Sequence, residues 1–347
     1  MLSHEFIQAF AQKRNKDLNF SFLKENGELL MIAQSSGLQV EPRSLELYRE
    51  FYDNILTLCD LYPAFFRFFL AIILDLEALG LEGNMGEALS DYVIKHNLYE
   101  HDTSDTRRWE IINLLARTNR IPNYKFDTRE ALENRARGFF QNPDRFIKFN
   151  RPLCYDLTHI IFFWTDYGRN KVEATPELVK SLMNIGLLAF LDDDFDLLSE
   201  VCLCYIFLGK PIPAIWQNAC EEGLETIQIK YLTEKDIYAG TASDDYHIYF
   251  VINWLLQMSG KTGFNCSIES AVPIFKKKDA PASTLAAISN QQHTSMLAHR
   301  KPNILQPISN KPFLTLSQKA KIDTAIKSTP QASEFFQKFT AGQIVLY

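Results

Sequence analysis

Two histidines and a few acids are the residues of this chain whose type and setting could do chemistry. His159 lies in a run from Tyr155 to Arg169, Tyr-Asp-Leu-Thr-His-Ile-Ile-Phe-Phe-Trp-Thr-Asp-Tyr-Gly-Arg. As a helix this run is apolar almost all the way round and is expected to be buried. It nevertheless carries His159 and Asp166, on one face and about two turns apart. Ionisable groups are costly to bury without partners, so such a helix has a structural network or a site to serve. His247 opens a second apolar stretch, Tyr246 to Met258. In a first helical turn the dipole disfavours an imidazolium, which predicts a neutral ring able to act as base or ligand.

These settings make His159, His247 and Tyr155 the candidate catalytic groups, Tyr155 lying one turn before His159. Arg107, Arg108, Tyr246 and Asp166 are the candidate substrate-binding groups, the arginines for an anionic part of the ligand. Asp166 falls near a helix C-terminus, where the dipole disfavours a carboxylate. It is expected to anchor the following turn, with Arg169 as its partner. No close ligand pair of the HExxH kind is present, and Cys202 and Cys204 point to opposite sides of a helix. No metal ligand and no cofactor are therefore assigned. Phosphate loops and nucleophile elbows are absent as motifs, and Ser259-Gly-Lys-Thr-Gly lacks the upstream glycine of a P-loop. Asp192-Asp-Asp-Phe-Asp196 matches the DDxxD metal–diphosphate motif of class I terpene synthases. A good match to that family's second metal motif is missing, so a helix-cap loop is the preferred reading and a terpene-synthase-like enzyme the weaker alternative.

The elements that must position these groups are helical. Thr175-Pro-Glu is a strong helix start, and Gly168 and Gly209 fit helix stops. Nearly all-apolar helices are predicted over roughly 64–78, 106–116, 153–167, 197–209 and 246–258. Amphipathic ones alternate with them over roughly 45–58, 86–98, 128–140, 176–190 and 213–224. Successive apolar helices start between 42 and 49 residues apart, a helical-hairpin period. Buried helices alternating with amphipathic ones predict an all-α fold in two layers, an α/α toroid-like ring of hairpins. An open α-solenoid is the alternative. In a ring the inner helices run the same way, and their N-termini gather at one end as a field suited to an anion. Residues 1–260 form this domain. Residues 261–312 are expected to be a flexible basic linker, and 313–347 short C-terminal helices packing on the body.

Net charge is −6, but residues from 261 onward hold 11 Lys/Arg against 4 Asp/Glu, leaving −13 on the first 260. An acidic body disfavours nucleic acid as its partner. The tail reads as solvated charge or as a segment docked on acidic surface. The longest apolar run, around Phe65–Leu74, contains Arg67 and is too short to span a bilayer. The N-terminus lacks a signal-peptide apolar region, and six scattered cysteines in apolar helical patterns fit a reducing cytoplasm.

Tyr155-Asp-Leu-Thr-His159, Phe162, Thr165-Asp-Tyr-Gly168 and the later Tyr246-His247, with Asp105-Thr-Arg-Arg108 before Leu114-Leu-Ala-Arg117, resemble a family of uncharacterised all-helical bacterial proteins often encoded near natural-product genes, including those for modified peptides. The resemblance covers roughly residues 60–260. It implies that His159, Asp166 and His247 are the positions to watch, and that tailoring of a peptide or small molecule is the role. The expected function is thus an enzyme, or enzyme-like accessory protein, acting in a central helical cavity on a peptide or small-molecule ligand. The alternative is a non-catalytic helical scaffold that binds a peptide or partner protein. Neither nucleic acid nor membrane is an expected partner.

Overall fold

The computed structural model describes residues 1–15, 18–102, 104–124, 128–148, 150–232, 244–266, 268, 272–278, 282–297 and 311–340. The protein is all-α, with a single two-stranded sheet among the described residues. In chain order the helices of the first half are α1 His4–Gln8, α2 Phe20–Ser36, α3 Pro42–Leu45, α4 Arg49–Asp53, α5 Ile55–Leu61, α6 Phe66–Leu79, α7 Met85–Lys95, α8 Asp105–Ala116 and α9 Arg129–Phe140. Then follow α10 Arg151–Trp164, α11 Pro176–Leu191, α12 Phe195–Phe207, α13 Ala214–Glu225, β1 Ile227–Leu232, α14 Tyr246–Met258, β2 Val272–Lys277, α15 Thr284–Leu297, α16 Leu316–Ser328 and α17 Ala332–Thr340.

Six helices carry the site. α2 packs on α6, α6 on α8, α8 on α10, α10 on α12, α12 on α14, and α14 on α2. Their contacts advance together along both partners. From α6 to α8, Arg67 meets Glu110 and Asp75 meets Arg117. From α10 to α12, Tyr155 meets Asp196, Thr158 meets Glu200 and Phe162 meets Phe207. From α12 to α14, Asp196 meets His247 and Phe207 meets Trp254. From α2 to α6, Phe20 meets Phe68 and Gly27 faces Ile72. The helices of each run, α2–α6–α8 and α10–α12–α14, therefore point the same way. The others back them: α7 on α6, α9 on α10, α11 on α12, and α13 on both α12 and α14.

The starts follow capping chemistry. The Thr175 side chain accepts from the Leu178 N–H, with Pro176 at the first helical position. Asp194 does the same for Leu197. Asp192 accepts from the Leu285 N–H and the Ser283 hydroxyl. Asp193 pairs with Lys321 at 2.5 Å. Three acids of the Asp192–Asp196 run thus hold three different neighbours, as a loop of helix caps would.

Three expectations need correction. The helix α2 lies outside the predicted set, yet it completes the six. Parts of the predicted 261–312 linker are ordered elements: β2 pairs antiparallel with β1, Ile229 opposite Phe275, and α15 packs on α11. The predicted amphipathic helix 176–190 is instead buried on every side from Ser181 to Leu191, because the turn Pro143–Phe146, α9, α13, α15 and α16 pack on it besides α12. The basic tail is engaged as well. Lys338 pairs with Asp144 at 2.7 Å, Lys277 donates to the Asp193 carbonyl, and Lys261 pairs with Glu221. The apolar ending Ile344–Tyr347 lies outside the described residues.

Candidate active site

The six helices line a cavity of about 210 Å³. Its apolar wall is aromatic, with Phe68, Phe162, Phe163, Tyr167 and Trp254. Set into that wall are Glu28 from α2, Arg67 from α6, Glu110 from α8, His159 from α10, Glu200 from α12 and His247 from α14. Each helix thus supplies at least one ionisable side chain, and Lys24, Asp75 and Arg117 add further charges to the lining.

Glu200 is the hub. It follows Asp196 by four residues, so both carboxylates leave one face of α12. Its Oε1 lies 3.7 Å from Nε2 of His159 and 3.8 Å from Nε2 of His247. The two ring nitrogens can be no farther apart than those lengths laid end to end. Its Oε2 accepts from the Thr158 hydroxyl. Around His247, Nε2 faces Asp196 Oδ1 at 3.3 Å, while Nδ1 meets Glu28 Oε2 at 3.1 Å. Asp196 takes a hydrogen bond on Oδ2 from the Tyr155 hydroxyl at 2.6 Å. Its other oxygen, Oδ1, is buried and accepts none. The His159 side chain is 46% exposed whereas that of Glu200 is 2% exposed, so from outside the cluster is approached through His159.

Charge follows from this packing. Burial alone would raise the Glu200 carboxyl, but the hydrogen bonds and charges of His159 and His247 outweigh it and hold Glu200 down to about 2. Burial opposes a charge on either imidazole, and Glu200 nonetheless raises both. For His247, Glu28 and Asp196 add to the effect and push it well above the usual histidine range. This corrects the neutral His247 expected from its first-turn position: three carboxylates at contact distance outweigh one helix dipole. Asp196 is raised by burial, with His247 opposing.

Of the residues named from sequence, His159, His247 and Asp166 line the cavity. Tyr155 is not on its lining but donates to the cluster through Asp196. Asp166 pairs with Arg169 at 3.1 Å, as expected. It opens a turn in which Asp166, Tyr167 and Gly168 all have positive φ, at 45°, 54° and 89°, a conformation costly for the first two. Tyr246 packs on Phe250 and under the Arg14 guanidinium rather than on the cavity. Arg107 is an exposed partner of Asp102, and Arg108 donates to the Asp102 carbonyl and stacks on Tyr124. Neither lines the cavity. Its guanidinium groups are those of Arg67, Arg117 and Arg169. Arg67 pairs with Glu110 and Arg117 with Asp75. Where helix N-termini were expected to favour an anion, the histidines instead meet Asp196 from the first turn of α12, Glu200 one turn further on and Glu28 from the middle of α2. Asp196, Glu200 and His247 are the described residues whose donor atoms converge as metal ligands would, all within 4.8 Å of one another. Glu28 and Glu200 were not singled out from sequence.

The family model described as a domain of unknown function (DUF6902) matches residues 2–342, and the chain belongs to that family. Neither the curated proteins nor the solved structures contain a match to this chain.

Proposed function

We propose that the chain is an enzyme, or enzyme-like accessory protein, of bacterial small-molecule or peptide tailoring, with its site in the middle of an α/α toroid. Ring closure is supported by the packing order, which leaves α2 through α6 and returns to it from α14. The observation that carries the function is that His159 and His247, from different helices, reach the same Glu200 oxygen on the wall of one cavity. Two imidazoles sharing a buried carboxylate can pass a proton between them. A group within hydrogen-bond reach of His159 would then meet a general acid or base. Asp196 and Tyr155 hold the far side of that relay, and the aromatic wall takes the apolar part of the ligand.

The test needs no named substrate. Bacterial metabolite and peptide extracts are incubated with the wild type and with His159→Gln, then compared by mass spectrometry. Features that change with the wild type and not with the variant support the enzyme. Extracts identical under both contradict it. The scaffold reading draws on the same ion pairs, since both histidines already have carboxylate partners. Stability separates the two, because a scaffold loses stability when a cluster carboxylate is removed.

A further inference from the structure

We propose that Asp196, Glu200 and His247 bind a divalent first-row transition ion, with His159 at its open side. The proposal deepens the reading of the cavity as a working site and rests on it.

The geometry around His247 supplies the ligand set. With Glu28 accepting from Nδ1–H, loss of the second imidazolium proton would leave the Nε2 lone pair facing Oδ1 of Asp196 and Oε1 of Glu200. Those three acceptors would repel once deprotonated, and a metal ion can take the place of the imidazolium proton between them. An ion about 2.1 Å from tetrahedrally placed donors holds them about 3.4 Å apart. The 3.3 Å gap fits as it stands, and the 3.8 Å gap and the third side, within 4.8 Å, close with rotation of the Glu200 carboxylate. An independent observation points the same way. Asp196 is 8% exposed, and its Oδ1, 3.3 Å from the His247 ring, accepts no hydrogen bond. A buried carboxylate oxygen that accepts no hydrogen bond is costly to keep, and a metal ion would satisfy it.

The surroundings match what metal sites need. Glu28 on Nδ1 is the carboxylate that fixes the tautomer and orientation of a ligating histidine. Thr158 and Tyr155 hold the non-ligating oxygens of Glu200 and Asp196. One imidazole with two carboxylates favours zinc, manganese or iron(II) over magnesium or calcium, which prefer all-oxygen shells. His159, 3.7 Å from Glu200 Oε1 and facing the cavity, is placed as a fourth ligand or beside a metal-bound water.

The experiment titrates Zn²⁺ alone into the full-length chain after chelation, followed by calorimetry and by the thermal midpoint, with Mg²⁺ in parallel. One equivalent of zinc is expected to bind with micromolar affinity or better and to raise the midpoint, while magnesium does neither. Glu28→Gln touches no metal and is expected to weaken zinc roughly 10- to 100-fold. His247→Gln is expected to abolish binding. Circular dichroism establishes that each variant is folded, and the wild-type titration decides the matter if one is not. Absence of zinc binding overturns the site, as does equal affinity for magnesium or unchanged affinity in both folded variants. In those cases an imidazolium proton is the only cation the cluster takes. Failure here is distinct from failure of the enzyme reading. A chain that binds no zinc yet changes an extract in a His159-dependent way keeps the acid–base site and loses the metal.

Discussion

At the scale of residues, one rule locates much of the site: a charge inside an apolar helix must have a partner. It makes His159 and His247 legible in the sequence. It applies equally to Glu200, which stands in the apolar run Phe195–Phe207, but the acids at the start of that run read as helix caps and drew attention away from it. Glu28 could not be found so, because its helix was not recognised. The arginines failed for a different reason. Arg107 and Arg108 share the motif-like stretch before α8, but helical phase turns them to Asp102 and Tyr124. Ion pairs that only hold the frame should behave unlike the histidine cluster. Asp75 is 3% exposed and bonds Arg117 at 2.7 Å. Asp75→Ala, which strands the guanidinium, is expected to lower unfolding free energy by about 3 kcal/mol in urea titration. A loss below half of that would place Arg117 in solvent.

At the scale of elements, apolar stretches were legible because burial on all sides leaves an unbroken pattern. Five of the six cavity helices begin within two residues of the predicted starts. The sixth, α2, was not, since Lys24-Glu-Asn-Gly-Glu28 interrupts its apolar pattern. Those polar residues face the cavity or bond within the core. Lys24, Gly27 and Glu28 line the cavity, Asn26 donates to the Phe10 carbonyl, and Glu25 pairs with Arg14. The strands escaped notice because β1 finds its partner only after α14 has been traversed. Close packing between layers gives an element-level test. A Cβ at Gly186 in α11 would lie 2.3 Å from the ring of Trp216 in α13, itself fully buried. Gly186→Ala gains roughly 1 kcal/mol in helix propensity, yet it is expected to lower stability by about 1–3 kcal/mol through overpacking. A stabilised variant in calorimetry would mean that α11 and α13 are not packed this closely.

At the scale of the molecule, the described parts of the basic tail hold to the acidic body as a clasp. Phe335 in α17 is 1% exposed. Phe335→Ala is expected to cost about 3–5 kcal/mol by denaturant unfolding, whereas a change within about 0.5 kcal/mol would mark a solvated tail. The central claim is that the fold holds its carboxylate–histidine cluster at a cost, for use. It is tested most directly by unfolding the wild type and Asp196→Asn in denaturant, in chelator and without ligand. Asparagine keeps the shape and can still accept from Tyr155. It removes a buried negative charge beside Glu200 and Asp194. If the cluster is a site, the variant is as stable as the wild type or more so, by about 0.5–2 kcal/mol. If the variant instead loses several kcal/mol, Asp196 is a satisfied core group whose loss strands its partners. The cluster would then be framework, and the scaffold reading would replace the enzyme.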